Sequence, residues 1–402
     1  MIVQYNLDCD RSWLINLSTS MIFIGGLFGS IILNWLSDNF GRKKVTFISF
    51  FMILFTKLLS AYMPDSSLFI TLRFLTGFFV GGIGSFVMIT EVTGEKWRPF
   101  AGNLLWIFYA IALCILPLKA YFIDSWKVLV VVCSAPYLIL LLTYRLVPES
   151  VRWLRLKGKS EEAVNIFKRM AKWNGKELDP ALQLSKGNAS KEMSSPLDLF
   201  RPKKVAINTF IFIFGCYTNA LVYYGISLAA DDIGVDSIYL SFFLVSLVEF
   251  PANFLATYCC NRFGRRNSSS IPLVIAGLLT LSISFTSTKV IRICLGMLGK
   301  LFVTLSFDAI ATLLVEVYPT NIRSEAFGII NIAVYIGGAS APWVAKGFLK
   351  VLPGLPFIVM GVLGIVAGFV NHFLPETKGV EMKESIEETE AHAQEINDIE
   401  LQ

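Results

Sequence analysis

The sequence predicts an all-α membrane protein built from two related helical bundles. Three observations carry this. Of 402 residues, 54% are hydrophobic and only 16% charged, where a water-facing domain asks for about a quarter. The apolar residues fall into eleven segments long enough to span a bilayer, each near the roughly 20 residues a spanning helix needs. The two halves of the chain also carry the same landmarks in the same order.

The spans are expected at 15–35, 45–63, 68–90, 100–120 and 127–147 in the first half. In the second they fall at 204–228, 237–259, 270–287, 290–315, 327–348 and 354–374. Residues 1–14 form a polar start; with Asp8, Asp10 and Arg11 it lacks the apolar core of a signal peptide. Residues 15–147 make an N-terminal bundle of five helices. Residues 148–203 form a linker in which Ser160 caps an amphipathic helix bearing Ala163, Ile166, Phe167, Met170 and Ala171 on one face. Residues 204–374 make a C-terminal bundle of six helices. Residues 375–402 are an acidic tail, with Glu381, Glu384, Glu387 and Glu388 among its carboxylates.

Basic residues collect on alternate connections: Arg42, Lys43 and Lys44; Lys96 and Arg98; the 148–203 stretch; Arg262, Arg265 and Arg266; Arg323. The positive-inside tendency places these in the cytoplasm and, with eleven spans, puts the C-terminus there too. The net charge of +5 is an orientation signal of this kind and not a nucleic-acid patch, so no nucleic-acid partner is expected.

The repeat is read from spacing. Asp38-Asn39-Phe40-Gly41-Arg42 pairs with Asn261-Arg262-Phe263-Gly264-Arg265 at an offset of 223. Glu91 and Arg98 pair with Glu316 and Arg323 at 225, and Pro148-Glu149-Ser150 pairs with Pro375-Glu376-Thr377 at 227. This is the trace of a parallel duplication. The span at 204–228 has its expected partner just before Met1, so the first half reads as lacking one helix of a twelve-helix plan.

The duplicated loops bear chemistry. Gly41 and Gly264 permit a tight turn. Asp38, Arg42, Glu91, Arg98, Glu149, Arg265, Glu316 and Arg323 gather at helix ends on one membrane face, where charge pairs can latch a gate. Mere orientation of the helices is the plainer alternative. Charges inside spans are costly, roughly 2.5–3.5 kcal/mol on insertion scales, and usually face a cavity or a partner. Glu249, Lys300 and Asp308 are such charges and are candidates to touch substrate or a coupling ion; a buried structural ion pair is the alternative. Tyr223 and Tyr224 offer aromatic faces suited to organic cations, or serve in packing. The Gly77, Gly81, Gly82 and Gly84 stripe reads as close helix packing. No nucleophile set, metal cluster or phosphate loop is visible, so neither an enzyme, a cofactor nor direct ATP drive is expected.

Taken together these residues resemble the major facilitator superfamily and, within it, the organic ion transporters of solute-carrier family 22. The similar stretches are Asn6-Leu7-Asp8-Cys9-Asp10, Ile89-Thr90-Glu91 with Arg98, and Pro148-Glu149-Ser150-Val151-Arg152-Trp153-Leu154. Tyr223-Tyr224-Gly225, Val248-Glu249-Phe250-Pro251-Ala252 and Glu316-Val317-Tyr318-Pro319-Thr320 follow. The resemblance implies rocker-switch alternating access around a central site lined by Tyr223, Tyr224, Glu249, Lys300 and Tyr335. It also implies a plasma-membrane home. Tyr335, before Ile336-Gly337-Gly338, stands where the family often carries an Asp or an Arg that marks charge preference; Glu249 leans toward cations or zwitterions. The expected function is therefore transport of a small organic ion. Two alternatives stand beside it: a truncated, non-transporting protein that binds a full-length relative, which would make a homo- or hetero-oligomer, and a sugar-porter-like facilitator.

Overall fold

The computed structural model describes residues 11–83, 98–175, 199–230, 237–318, 322–350 and 352–379, together with Met88, Thr93 and Asp232. The side chains of residues 98–103, Leu156, Ser324 and Lys350 are not among those described. All regular structure among the described residues is helical.

The helices run in order as α1 (Trp13–Phe40), α2 (Arg42–Tyr62), α3 (Ser66–Gly81), α4 (Arg98–Phe122), α5 (Trp126–Leu142), α6 (Val151–Leu156) and α7 (Ser160–Trp173). They continue as α8 (Lys203–Leu228), α9 (Ile238–Leu247), α10 (Glu249–Phe263), α11 (Arg265–Ser284), α12 (Lys289–Val317), α13 (Arg323–Pro342) and α14 (Leu355–Asn371). Among the described residues nine helical stretches are long and apolar enough to cross a membrane, with α9 and α10 counted as one, and α3 and α14 are shorter apolar helices. Each lies on one of the eleven expected spans. The expected 68–90 span is helical to Gly81, and the residues beyond 83 are described only at Met88 and Thr93.

The chain divides into two compact units. Residues 24–83, 98–108 and 123–175 belong to the first; residues 11–23, 109–122 and 199–379 to the second.

In the first unit, backbones meet where side chains are small. Gly25 and Gly29 of α1 lie against Phe74 and Phe78 of α3, and Gly81 lies against Gly26 and Ser30. Without a water-driven force between helices in lipid, such close approach supplies the contact. The Thr56 and Thr76 hydroxyls pair at 2.9 Å, and that of Thr76 also meets the Leu72 carbonyl at 2.8 Å. The linker helix α7 packs Ala163, Ile166 and Phe167 on Val151, Leu154 and Trp153 of α6, so the amphipathic face expected from the sequence is covered by its own neighbour.

In the second unit, Gly277 of α11 faces Gly361 and Ile365 of α14, and Gly361 and Gly364 face back. A core of Val222, Ile226, Val303, Phe357 and Met360 fills the bundle beside this crossing. A second core joins Phe212, Ile310, Leu314 and Tyr318, with the buried Tyr318 hydroxyl 2.8 Å from that of Thr209.

Two irregularities shape this unit. The span from Ile238 to Phe263 breaks at Val248, because Pro251 has no N–H to give to the Leu247 carbonyl. α13 ends at Pro342 in a π turn, Trp343–Gly347. Pro342 has no N–H for the carbonyl four residues back, and the Trp343 N–H turns to Ser340. The Ala339 carbonyl accepts instead from the Ser20 hydroxyl at 2.5 Å, and the Trp343 indole N–H donates to Ser20 at 2.9 Å. Lys346, in the π turn, pairs with Asp232 at 2.5 Å.

Candidate functional site

The break at Val248 makes Glu249 the first residue of α10, where the helix dipole favours a carboxylate. Its side chain is nevertheless buried, at 3% exposure, and meets Lys300 of α12, at 1%, across 3.2 Å. The Tyr223 hydroxyl donates to the same carboxylate oxygen at 2.7 Å. Lys300 also donates to the Ser227 hydroxyl at 2.7 Å and to the Tyr223 carbonyl at 3.1 Å, and its ammonium lies over the Tyr223 ring, 2.9 Å from the centroid. The ammonium therefore spends its three donors inside the protein, on groups from α8 and α10. Asn253, one turn along α10, donates to the Glu249 carbonyl at 2.8 Å.

Aromatic rings surround this pair. Tyr223 meets Tyr224 edge-on at 5.0 Å and runs nearly parallel to Phe307 at 6.2 Å. Phe23 of α1 meets Tyr224 edge-on at 4.7 Å. Tyr109 of α4 hydrogen-bonds Tyr223, and Tyr335 of α13 is close enough to Tyr224 for their hydroxyls to interact.

Asp308 lies on α12 eight residues beyond Lys300, which is about 12 Å of helix rise and out of reach of that ammonium. It is near enough to Glu249 for the two carboxylates to repel. Among the described residues no donor or cation partners its carboxylate. All six residues expected to contact substrate thus lie in the second unit, around one buried ion pair. Ser227, Asn253, Tyr109 and Phe307 belong to the same cluster and were not anticipated. The only local signal for Ser227 was its position one turn after Tyr223.

The charged loops form two smaller constructions, one in each unit. In the first, Gly41 turns the chain at φ +112° between α1 and α2. The Glu149 carboxylate accepts the N–H groups of Lys43 at 2.9 Å and Ser150 at 3.0 Å, capping α2 with negative charge. Arg42 pairs with Asp38 at 3.6 Å, and the Trp153 indole donates to the Asp38 carbonyl at 2.8 Å.

In the second unit, Gly264 turns at φ +89°. The Glu376 carboxylate accepts from Arg265 N–H at 2.9 Å and Arg266 N–H at 3.2 Å, capping α11 as Glu149 caps α2. Arg265 pairs with Glu316 at 3.1 Å, and the Thr377 hydroxyl donates to Glu316 at 2.5 Å. Arg323 donates to the Tyr318 carbonyl at 3.1 Å. The duplication thus extends from sequence to hydrogen bonds. Glu376 was missed as a site residue although Pro375-Glu376-Thr377 marked it as the twin of Glu149. Glu91, the Arg98 side chain, Asn6 to Asp10, the loop at 176–198 and the acidic tail beyond Gly379 lie outside the described residues.

Residues 3–388 match the model of the sugar (and other) transporter family. The chain is 33% identical over 396 residues to solute carrier family 22 member 3 of Rattus norvegicus, covering 97% of this chain and 72% of the relative. It is 32% identical over 397 residues to solute carrier family 22 member 2 of Homo sapiens, covering 97% and 71%. The chain belongs to the sugar (and other) transporter family and, within it, to solute carrier family 22. It is a multi-pass membrane transporter for a small molecule. Its fold is that of the major facilitator superfamily. It superposes with a TM-score of 0.67 on the proton:xylose symporter XylE bound to 6-bromo-6-deoxy-D-glucose, covering 96% and 91% of the two chains at 20% identity. An inward-open form of the xylose transporter XylE from E. coli gives 0.69, covering 95% and 90% at 17% identity. At such identities the likeness concerns the fold alone.

Proposed function

We propose that the chain carries a small organic cation or zwitterion across the plasma membrane by alternating access, as a carrier and not an enzyme. One observation carries the charge preference. The buried ammonium of Lys300 serves Glu249, and Asp308, eight residues along the same helix, is a second carboxylate with no such cation among the described residues. An isolated charge is costly in such a region. A bound cation relieves that cost and can also meet the faces of Tyr223, Tyr224 and Tyr335. Because Glu249 is engaged by Lys300 and Tyr223, Asp308 is the carboxylate left to meet the substrate.

A ligand shifts a conformational equilibrium only through its differential affinity for the two states. A cation that neutralises Asp308 in one state more than in the other supplies such a difference. In this reading residues 15–147 and 204–374 act as the two bundles, the linker 148–203 lies between them, and the C-terminus is cytoplasmic. Asp38, Gly41, Arg42, Glu91, Arg98 and Glu149, with Gly264, Arg265, Glu316 and Arg323, set the cytoplasmic gate.

The test is uptake by cells expressing the tagged chain, with surface protein quantified, offered one organic cation, one organic anion and carnitine. Saturable uptake of the cation or carnitine is expected, with Asp308→Asn raising KM about tenfold at equal surface level. Preferred uptake of the anion, or an Asp308→Asn variant with unchanged KM, would overturn the charge assignment.

A further inference from the structure

A crevice of about 340 Å³ opens on the first unit, along the start of α2 just beyond the turn at Gly41. Lys44, Phe47, Ile48 and Phe51 line one side, and Tyr144, from the 3₁₀ turn after α5, lines the other. Apart from Lys44 its walls are hydrocarbon and aromatic ring. Ile48 and Phe51 are more than half exposed although they sit in the first turns of a membrane span. An outward face at that depth meets lipid, not water. Phe47 packs edge-on against Tyr144 at 5.0 Å, which gives the crevice a fixed floor. From Lys44 to Phe51 the helix rises about 10 Å.

Positive charge is concentrated at the mouth. Lys43 lies over the Tyr144 ring at 4.2 Å. Arg169 of α7 is close enough to repel Lys43, and stacks on Trp173 at 4.8 Å, leaving that indole 64% exposed. The nearby carboxylate, Glu149, is occupied by the N–H groups of Lys43 and Ser150. Three like charges therefore converge on one carboxylate, Glu149, and outnumber it, above an apolar slot that runs into the bilayer.

We propose that this crevice is a binding site for an anionic phospholipid, one acyl chain lying along Phe47, Ile48, Phe51 and Tyr144 and the headgroup resting between Lys44, Lys43 and Arg169. The apolar walls select a lipid over a soluble anion, and the basic mouth selects an anionic headgroup over a zwitterionic one. Basic residues at a membrane surface each favour anionic lipid by about fivefold. Because Arg169 sits on the linker helix, a lipid bound here ties α7 to the start of α2.

The full-length protein would be reconstituted in nanodiscs of equal phosphatidylserine and phosphatidylcholine, and lipid retention read by native mass spectrometry after gentle release. Phosphatidylserine should be retained in preference, and Lys44→Gln should lower that preference about fivefold. Ile48→Trp, which fills the slot at an exposed position, should remove retention of both lipids. Equal retention of the two lipids by the parent protein would overturn the site. So would Ile48→Trp with undiminished retention, or displacement of phosphatidylserine by inorganic phosphate, which would assign the basic mouth to a free anion. If Lys44→Gln does not yield folded protein, Arg169→Gln on the linker takes its place with the same expected loss, and an unchanged preference in it counts against the proposal.

Discussion

Replacing Lys300 by Met removes the single cation of the buried cluster while keeping a side chain of similar length. The pair is 3.2 Å apart, with side chains 1% and 3% exposed, so the small value of a surface ion pair does not apply. At an effective dielectric of 20 the attraction is about 5 kcal/mol. Part of that offsets desolvation, but losing one partner leaves Glu249 buried and unpaired, which typically costs about 3–5 kcal/mol. Lys300→Met should therefore destabilise by about 3–5 kcal/mol. The double variant Glu249→Gln/Lys300→Met removes both charges, leaves Tyr223 an amide oxygen to donate to, and should return to within about 1 kcal/mol of the parent. The assay is a double-mutant cycle on unfolding in detergent micelles, read by tryptophan fluorescence. A Lys300→Met variant within about 1 kcal/mol of the parent, or additive effects in the double variant, would refute the claim that these charges hold each other in place.

Two further outcomes are expected. Gly264→Ala places a methyl group at φ +89° and into the Glu376 carboxylate, so it should cost about 1–3 kcal/mol from backbone strain alone; an unchanged unfolding temperature would contradict this. Ser20→Ala strands the Ala339 carbonyl and the Trp343 indole N–H around a site only 1% exposed, which should cost about 1–3 kcal/mol, and an unshifted indole emission would argue against that bond.

The number and order of the spans were legible because a bilayer imposes one length and one polarity on every crossing. The repeat was legible because Gly41 and Gly264 must each provide a turn that other residues resist. Glu249, Lys300 and Asp308 stood out singly, since charge within a span is rare. That Lys300 belongs to Glu249 and not to Asp308 could not be read from the chain. Eight residues on one helix look close in sequence, whereas the true partner is 51 residues away and reached only when α10 packs on α12. Tyr109 and Phe307 were invisible for the same reason: an aromatic residue in an apolar span carries no mark of what it faces. Pro251 signalled the break that brings Glu249 to a helix start. The π turn had a weaker signal in Pro342, because an unsatisfied carbonyl can be met in several ways, and which way depends on Ser20, more than three hundred residues distant.

That turn sets the helical phase of everything after it. One residue corresponds to about 100° of rotation in an α-helix, and the wider winding of a π turn accommodates an extra residue. Lys346 points at Asp232 by virtue of that phase. Deleting Val344 or Ala345 would swing every later side chain of the segment by about 100°, carrying the Lys346 ammonium off Asp232 with no change to either residue of the pair. The ion pair is thus encoded by a count of residues as much as by their identity, and an insertion or deletion there would cost more than many substitutions.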